Sequence, residues 1–547
     1  MSNSLKTRAL PEMPQRGWWK RGVIYQIYPR SFRDSNGDGI GDIRGITRKL
    51  DYLTWLGIDA IWLSPVNPSP MYDFGYDISD YYDIDPCYGT LSDFDELLEK
   101  AHASGIRIIM DLVVNHTSHL HKWFKDSSSA RDSRRRDWYI WHDPVKGREP
   151  NNWKSAFGGS AWEWDPHTEQ YYLHSFLKEQ PDLNWRNPEM RKSIHKMMRF
   201  WLNRGVDGFR LDVVNWFIKD DRFRSNPFTI KPLDPEKHKY DRNRPEVHNY
   251  IRELRAVVDE YDARMTVGEV FTLPPGNPEL SASFLGNGED ELHMAFDFSI
   301  MYRFWSARRF YNCVKRWYRE IPHSGWPCNV QSNHDQPRGR SRYMGGVNSE
   351  KRARVAAIFL LTIKGTPFLY YGEELGMKNT SLRRNEIVDP LGKRYWPVYR
   401  GRDCARTPML WNSKTNAGFS DGRPWLPVDS DYKKLNVKAQ RKDRYSMLNL
   451  YREMITLRKK HPALNRGEII PEIKGFKNVL AYFRQEGDET FFIALNFSGK
   501  ERTIHAGERG QWRVMLSTHR TIREHFTSLT MTLAPYEATV VMRIGEL

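Results

Sequence analysis

The chain has 547 residues, of which 39% are hydrophobic, 13% aromatic and 28% charged, with 20 tryptophans and four cysteines. That length excludes a small disulfide scaffold and that apolar mass excludes global disorder, so several domains or one large α/β barrel with insertions is expected. The formal charge of +16 is carried by dispersed Lys and Arg; the densest run, 131–136 (RDSRRR), is broken by Asp132 and Ser133 and sits in no nucleic-acid-binding motif. A solvated basic surface is expected, with no nucleic-acid partner.

Residues 1–14 (MSNSLKTRALPEMP) hold no apolar run of signal-peptide length, and no later stretch reaches the roughly 18 to 20 apolar residues of a membrane span. Cys87, Cys313, Cys328 and Cys404 form no C-x-x-C pair, which suits a reducing compartment and argues against a structural zinc site. A cytoplasmic chain with no membrane partner is the expectation.

Short apolar runs alternate with amphipathic stretches from the start. Run 22–29 (GVIYQIYP) precedes 43–56, where Ile46, Leu50, Leu53 and Leu56 recur at helical spacing. Runs 58–65 and 107–116 flank a helical pattern at 91–103, with Ser92 and Asp95 in capping-box arrangement. Five more strand patterns follow at 208–214, 265–271, 293–298, 327–335 and 366–372. Helical patterns accompany them at 189–202, 246–261, 307–321, 350–363 and 443–460. Eight buried strands alternating with helices predict a closed (β/α)₈ barrel spanning 1–116 and 187–465, a doubly wound open sheet being the alternative.

Two connections are too long for plain barrel loops. Residues 117–186 carry Trp123, Trp138, Trp141, Trp153, Trp162, Trp164 and Trp185, enough aromatic area for a subdomain inserted after strand 3. The stretch 373–443 after strand 8 is rich in Gly, Pro, Asn and Asp and reads as a second excursion over the same face. Beyond 465 the pattern turns to short strand-like runs at 479–484, 490–497, 511–516 and 538–544, which predict a C-terminal antiparallel β domain over 466–547.

In a (β/α)₈ enzyme the reactive groups project from the C-terminal strand ends. Four strand endings combine apolar residues with charge: 111–116 (DLVVNH), 208–213 (GFRLDV), 266–271 (TVGEVF) and 332–335 (SNHD). They bring Asp212, Glu269 and Asp335 to one rim, with His116, Arg210 and His334 nearby. Carboxylates that converge repel one another, which drives their pKa values apart and suits acid/base work.

These motifs, with QPDLN at 180–184 and GRDCARTPM at 401–409, make the chain resemble the α-amylase superfamily of glycoside hydrolases, in its oligo-1,6-glucosidase and α-glucosidase branch. The resemblance extends from YQIYPRSF at 25–32 through the C-terminal β domain. It implies Asp212 as nucleophile, Glu269 as general acid/base and Asp335 as the carboxylate that grips the sugar. It further implies Tyr76 as a stacking platform, Asp77, His116, His334 and Arg402 as hydroxyl-binding groups, and Phe176 and Gln180 as further contacts. Arg210, two residues before Asp212 on the same strand, faces the same way and is expected to keep the nucleophile ionised while Glu269 holds a proton. A retaining double displacement would place the two carboxyls about 5 to 5.5 Å apart.

The segment DSNGDGIGD presents oxygens from Asp34, Asn36, Asp38 and Asp42, with the Ile40 carbonyl at position 7 of an EF-hand-like count. Position 12 is Gly45, so the bidentate Glu of an EF-hand is missing. Related glucosidases carry a similar loop that binds calcium. Structural Ca²⁺ is the expectation, with Mg²⁺ or a metal-free Asx turn as alternatives.

Linkage preference is divided. In this branch Val after the nucleophile, here Val213, accompanies α-1,6 action, whereas MYDFGYD at 71–77 and the short loop after strand 8, with DPLGKRYWPVYRGRD, resemble α-1,4 enzymes. The expected function is an exo-acting α-glucosidase on short α-glucosides of either linkage. Sucrose isomerases carry an RLDRD-type run where this chain has SIMYRFWSA, so isomerisation is disfavoured, while transglycosylation stays open. A non-catalytic relative would be expected to lose carboxylates and gain a membrane anchor.

Overall fold

The computed structural model describes residues 16–231, 234–272, 275–476, 478–520 and 524–545, so the reading of 1–14 lies outside the described residues. All eight strand patterns form parallel strands: β1 (Ile24–Ile27), β2 (Ala60–Leu63), β3 (Arg107–Leu112), β4 (Gly208–Leu211), β5 (Met265–Gly268), β6 (Met294–Ala295), β7 (Cys328–Val330) and β8 (Thr366–Tyr370). They pair in chain order, β1 lies beside β8 with Ile24 opposite Phe368, and a bridge between Phe296 and Cys328 joins β6 to β7. That last bridge closes the sheet into a barrel and removes the open-sheet alternative.

Strand alternation sorts the side chains into two cores. Ile24, Ala60, Trp62, Ile109, Val267, Phe296, Val330 and Phe368 fill the barrel, whereas Tyr25, Ile27, Ile61, Leu63 and Ile108 face the surrounding helices. Because both faces are covered, the strands read as continuous apolar runs rather than alternating ones.

Two helix readings need correction. The pattern at 43–56 is two helices, Ile43–Thr47 and Leu50–Leu56, separated where Lys49 leaves helical geometry. The capping box of Leu91–Ala103 is Thr90 with Asp93, not Ser92 with Asp95, because the helix starts earlier. Asp95 instead pairs with Arg204 at 2.6 Å.

Within the tryptophan-rich segment after β3, Trp141–His142, Trp162–Asp165 and Gln170–Leu173 form a three-stranded sheet. Trp153, Ala161, Trp162 and Leu173 make its core; a bridge from His116 to Asp182 ties the segment to the barrel rim, and one from Tyr139 to Leu183 joins its two ends. The excursion after β8 packs on Leu382, Ile387 and Leu426.

The C-terminal sheet has six antiparallel strands, and the four expected ones are joined by Glu468–Phe476 and His525–Leu533. Those two are the sheet edges, where a proline and a Ser/Thr-rich pattern weaken the sequence signal. Among the described residues no helix is long and apolar enough to cross a membrane.

Candidate active site

Asp212 and Glu269 each stand one residue beyond a barrel strand, and backbone hydrogen bonds set their positions. Asp212 N–H donates to Leu112 O at 3.1 Å, Glu269 N–H to Leu211 O at 2.9 Å and Val214 N–H to Glu269 O at 3.0 Å. Between them Val213 adopts φ 39°, a left-handed conformation that a β-branched residue rarely takes. The strain sits beside the Asp212 carboxylate, and local strain of this kind is common at functional sites.

Arg210 forms the electrostatic centre, with its side chain 1% exposed. Its Nη1 donates to Asp111 at 2.8 Å and to Asp212 at 2.7 Å, while Nη2 donates to Glu269. Arg210 faces Asp212 as its place on the strand implies, and the same guanidinium is shared by two further carboxyls. Burial, above all, pushes the Asp212 and Glu269 carboxyls upward; Arg210 draws each back, and neighbouring carboxylates add to the rise. With one cation against three buried acids, the group retains a proton above the usual carboxylate range, and that proton belongs to the cluster.

Asp335 has the opposite environment. Burial alone would raise it, but His334, Arg402, Arg406 and Arg210 outweigh burial and hold its carboxyl below the usual range. Burial pushes His334 itself down to about 3, so at neutral pH the cations facing Asp335 are the arginines. Arg406 reaches it at 2.8 Å and Arg402 at 3.2 Å. Arg402 also holds Asp73 at 2.7 Å and Asp389 at 2.8 Å.

The carboxylates open into a cavity of about 190 Å³ whose lining includes Asp73, Tyr76, His116, Phe157, Phe176, Asp212, Val213, Glu269, Tyr302, Asp335, Tyr399 and Arg402. Tyr76, His116, Phe176 and Arg402 all line this cavity. Gln180 is fully buried and reaches His116 at 3.1 Å, so it supports the lining from behind. His334 is likewise buried, 2.7 Å from the Tyr76 hydroxyl. Burial pushes His116 down to about 4, leaving it neutral.

Asp77 is a correction. Its carboxylate accepts from Ser69 Oγ at 2.8 Å, Tyr72 N–H at 2.9 Å and Asp73 N–H at 3.0 Å, so it folds its own loop. Asp73, four residues earlier, faces the cavity instead. Asp73, Asp111, Asp389 and Arg406 are the charged groups that the sequence reading missed. All four lie inside stretches it had singled out: MYDFGYD, DLVVNH, DPLGKRYWPVYRGRD and GRDCARTPM.

The Asp34 loop offers hard oxygen donors of the kind a Ca²⁺ ion takes. In the structure these oxygens meet the loop's own amides. Asp34 accepts from Asn36, Gly37 and Gly39 N–H at 2.7 to 2.9 Å and from Ser420 Oγ at 2.6 Å. Asn36 accepts from Asp38 N–H, Asp38 from Ile40 N–H, and Asp42 from Ser35 and Gly45 N–H. Among the described residues no three acidic, imidazole or thiol side chains converge as a metal cage.

A closed barrel with clustered carboxyls at its C-terminal strand ends, opening into a small sugar-sized cavity, defines a glycoside hydrolase of the (β/α)₈ class. Comparison with known families agrees: the α-amylase catalytic domain matches residues 26–467 and the maltogenic amylase C-terminal domain residues 473–540. The chain belongs to the α-amylase family of glycoside hydrolases. It is 44% identical to a probable α-glucosidase of Rhizobium meliloti, over 90% of this chain and 91% of that one. It is 41% identical to an oligo-1,6-glucosidase of Parageobacillus thermoglucosidasius, over 96% and 99%. Among solved structures, the α-glucosyl transfer enzyme XgtA superposes with TM-score 0.89 at 39% identity, over 96% and 99% of the two chains. The trehalulose synthase MutB of Pseudomonas mesoacidophila superposes with TM-score 0.89 at 36% identity, over 97% and 100%.

Proposed function

We propose that the protein is a retaining, exo-acting α-glucosidase that releases the terminal glucose of short α-1,4- or α-1,6-linked glucosides. The observation that carries this reading is the size of the cavity. Arg402, bonded to Asp73, Asp389 and Asp335, lines it with Phe157, Tyr399 and the carboxylates, and its volume of about 190 Å³ suits one sugar ring rather than a polymer strand. If soluble starch is cleaved internally, and faster than maltose or isomaltose, the reading fails.

In the proposed reaction Asp212 attacks the anomeric carbon as the glycosidic C–O bond breaks, and Glu269 gives its proton to the leaving oxygen. Water then attacks the glucosyl–Asp212 ester while Glu269 takes the proton back, and glucose leaves as the α-anomer. Two features support this. One guanidinium spans both carboxyls, keeping them close, and the cluster retains the proton that the first step consumes. The ionised Asp335 and its arginines suit the grip on sugar hydroxyls. NMR of the first-formed glucose tests the course; an initial β-anomer would exclude it.

The solved relatives include a trehalulose synthase variant bound to sucrose and an enzyme of α-glucosyl transfer, which supports α-glucosides as the substrate class. Four unpaired cysteines suit a reducing compartment, and we place the enzyme in the cytoplasm. The Asp34 loop is proposed to hold Ca²⁺ through Asp34, Asn36, Asp38, Asp42 and the Ile40 carbonyl. The ion would neutralise three carboxylates, with no part in the reaction. EDTA should lower the melting temperature without abolishing turnover; an unchanged melting temperature with no metal by elemental analysis would reject the site.

A further inference from the structure

The excursion after β8 delivers Arg402 to the reaction cavity, and the chain is laced to itself where it does so. Asp389 Oδ2 accepts from the Arg402 backbone N–H at 2.7 Å, and Asp389 Oδ1 accepts from Arg402 Nε at 3.2 Å and Nη2 at 2.8 Å. In return, Asp403 Oδ2 accepts from the Val388 and Asp389 N–H groups, each at 2.8 Å. Both carboxyls are fully buried, and together they close the base of the loop that runs from 390 to 401.

Asp389 occupies the N-cap position of the short helix Pro390–Tyr395, where an aspartate ordinarily accepts from the amides of its own helix. Here the side chain makes no capping bond and is turned to Arg402 instead. Gly401 makes that approach possible. Its φ is 78°, and a Cβ there would stand 2.6 Å from Asp389 Oδ2.

Arg402 is thereby divided among three acids. Nη2 donates to Asp389 and to Asp73, the latter at 2.7 Å, and Nη1 reaches Asp335 at 3.2 Å. Asp73 and Asp335 line the cavity, whereas Asp389 stands behind the guanidinium, outside that lining. Asp335 has a second cation in Arg406 at 2.8 Å, but Asp73 pairs with Arg402 and otherwise meets Gln180 at 3.4 Å. The orientation of Arg402 therefore matters most to Asp73.

We infer that Asp389 is a positioning residue for sugar binding: it holds the Arg402 guanidinium in the orientation that pairs it with Asp73, and so fixes the cavity wall that meets the terminal sugar. The identity of that sugar rests on the exo-α-glucosidase reading above. Both oxygens of Asp389 are acceptors, so an amide in its place must turn its NH₂ toward a donor, either the Arg402 backbone N–H or the guanidinium. Asp389→Asn keeps the shape and breaks the clasp.

In Asp389→Asn the KM for maltose and isomaltose should rise about tenfold or more, as loss of hydrogen bonds to a charged group implies, with kcat within about threefold because Asp335 keeps Arg406. Arg402→Lys has no fork to share among three acids and should raise KM as well. Because Asp389 acts through Arg402, the double variant should be no worse than Arg402→Lys alone. An unchanged KM in Asp389→Asn, an effect confined to kcat, or effects that multiply in the double variant would overturn the proposal. If Asp389→Asn does not fold, Gly401→Ala displaces the carboxylate without removing it; a raised KM there supports the clasp and an unchanged one overturns it. A crystal structure of whichever variant folds reads the placement without turnover. If neither disaccharide is cleaved by the wild type, the glucosidase reading fails; Arg402 turned away from Asp73 in the variant would still support the positioning role, and Arg402 unmoved would overturn it.

Discussion

Asp73 and Asp77 show how much a single residue's orientation decides. Both are acidic, they stand four apart in MYDFGYD, and either fits a hydroxyl-binding role on paper. Left-handed conformations at Met71 (φ 65°), Phe74 (φ 49°) and Gly75 (φ 106°) fold the loop so that Asp77 caps its own amides and Asp73 meets Arg402. The roles of Asp212 and Glu269 are checked by chemical rescue. Asp212→Ala and Glu269→Gln should each lower kcat by several orders of magnitude in a folded enzyme. Azide should return β-glucosyl azide from the first and α-glucosyl azide from the second; the same anomer from both would refute the assignment. Val213 is the residue-scale test of linkage. Its branched apolar side chain lines the cavity beside Asp212, so Val213→Thr should shift the maltose-to-isomaltose kcat/KM ratio toward maltose by about 10- to 200-fold, the range of about 1 to 3 kcal/mol of differential binding. A ratio constant within about twofold would assign the preference to the loops.

At the scale of elements, the β8 end is joined to β1 and the Leu50–Leu56 helix by one buried carboxyl. Glu374 accepts from Tyr25 OH at 2.8 Å and Tyr52 OH at 2.7 Å on the same oxygen, and its other oxygen has no partner. Burial pushes its pKa up to about 7, against the lowering effect of the two phenols. A carboxyl raised on folding stabilises the protein fully below its unfolded pKa, about 4.5, and loses that contribution as pH rises through about 7. Glu374→Gln should therefore flatten this part of the stability–pH profile and raise the melting temperature at pH 8 relative to wild type. Parallel melting curves from pH 4 to 8 measure it, and identical slopes would show that Glu374 does not titrate in this window. Legibility at this scale followed burial: strands covered on both faces stood out as apolar runs, while the two edge strands of the C-terminal sheet did not.

Across the whole molecule, barrel and C-terminal sheet share fully buried arginines that meet carbonyls rather than acids. Arg458 donates to Leu361 O and Gly365 O at 3.0 and 2.6 Å, and Arg484 donates to Thr362 O and to Gly467 O, the latter at 2.7 Å. Thr362 Oγ1 lies 2.6 Å from Tyr482 OH, and Trp305 stacks on Phe497 at 4.4 Å. Arg484→Ala should cost about 3 kcal/mol, because several buried carbonyls lose their donor, and should lower the melting of barrel and sheet together. Separate transitions, with the barrel unaffected, would show that the contact is dispensable.

The sequence by itself determined the eight-stranded barrel, the C-terminal sheet and the acids at the strand ends, because burial on both faces and strand-end chemistry leave local signatures. Only the tertiary structure decided how those acids are coupled. Arg210 reaches Asp111 across 99 positions and Glu269 across 59, and Arg402 reaches Asp73 across 329. Spacing on one strand placed Arg210 beside Asp212. Barrel closure, which brings neighbouring strand ends within reach of one guanidinium, made it a shared cation and thereby set where the proton can reside.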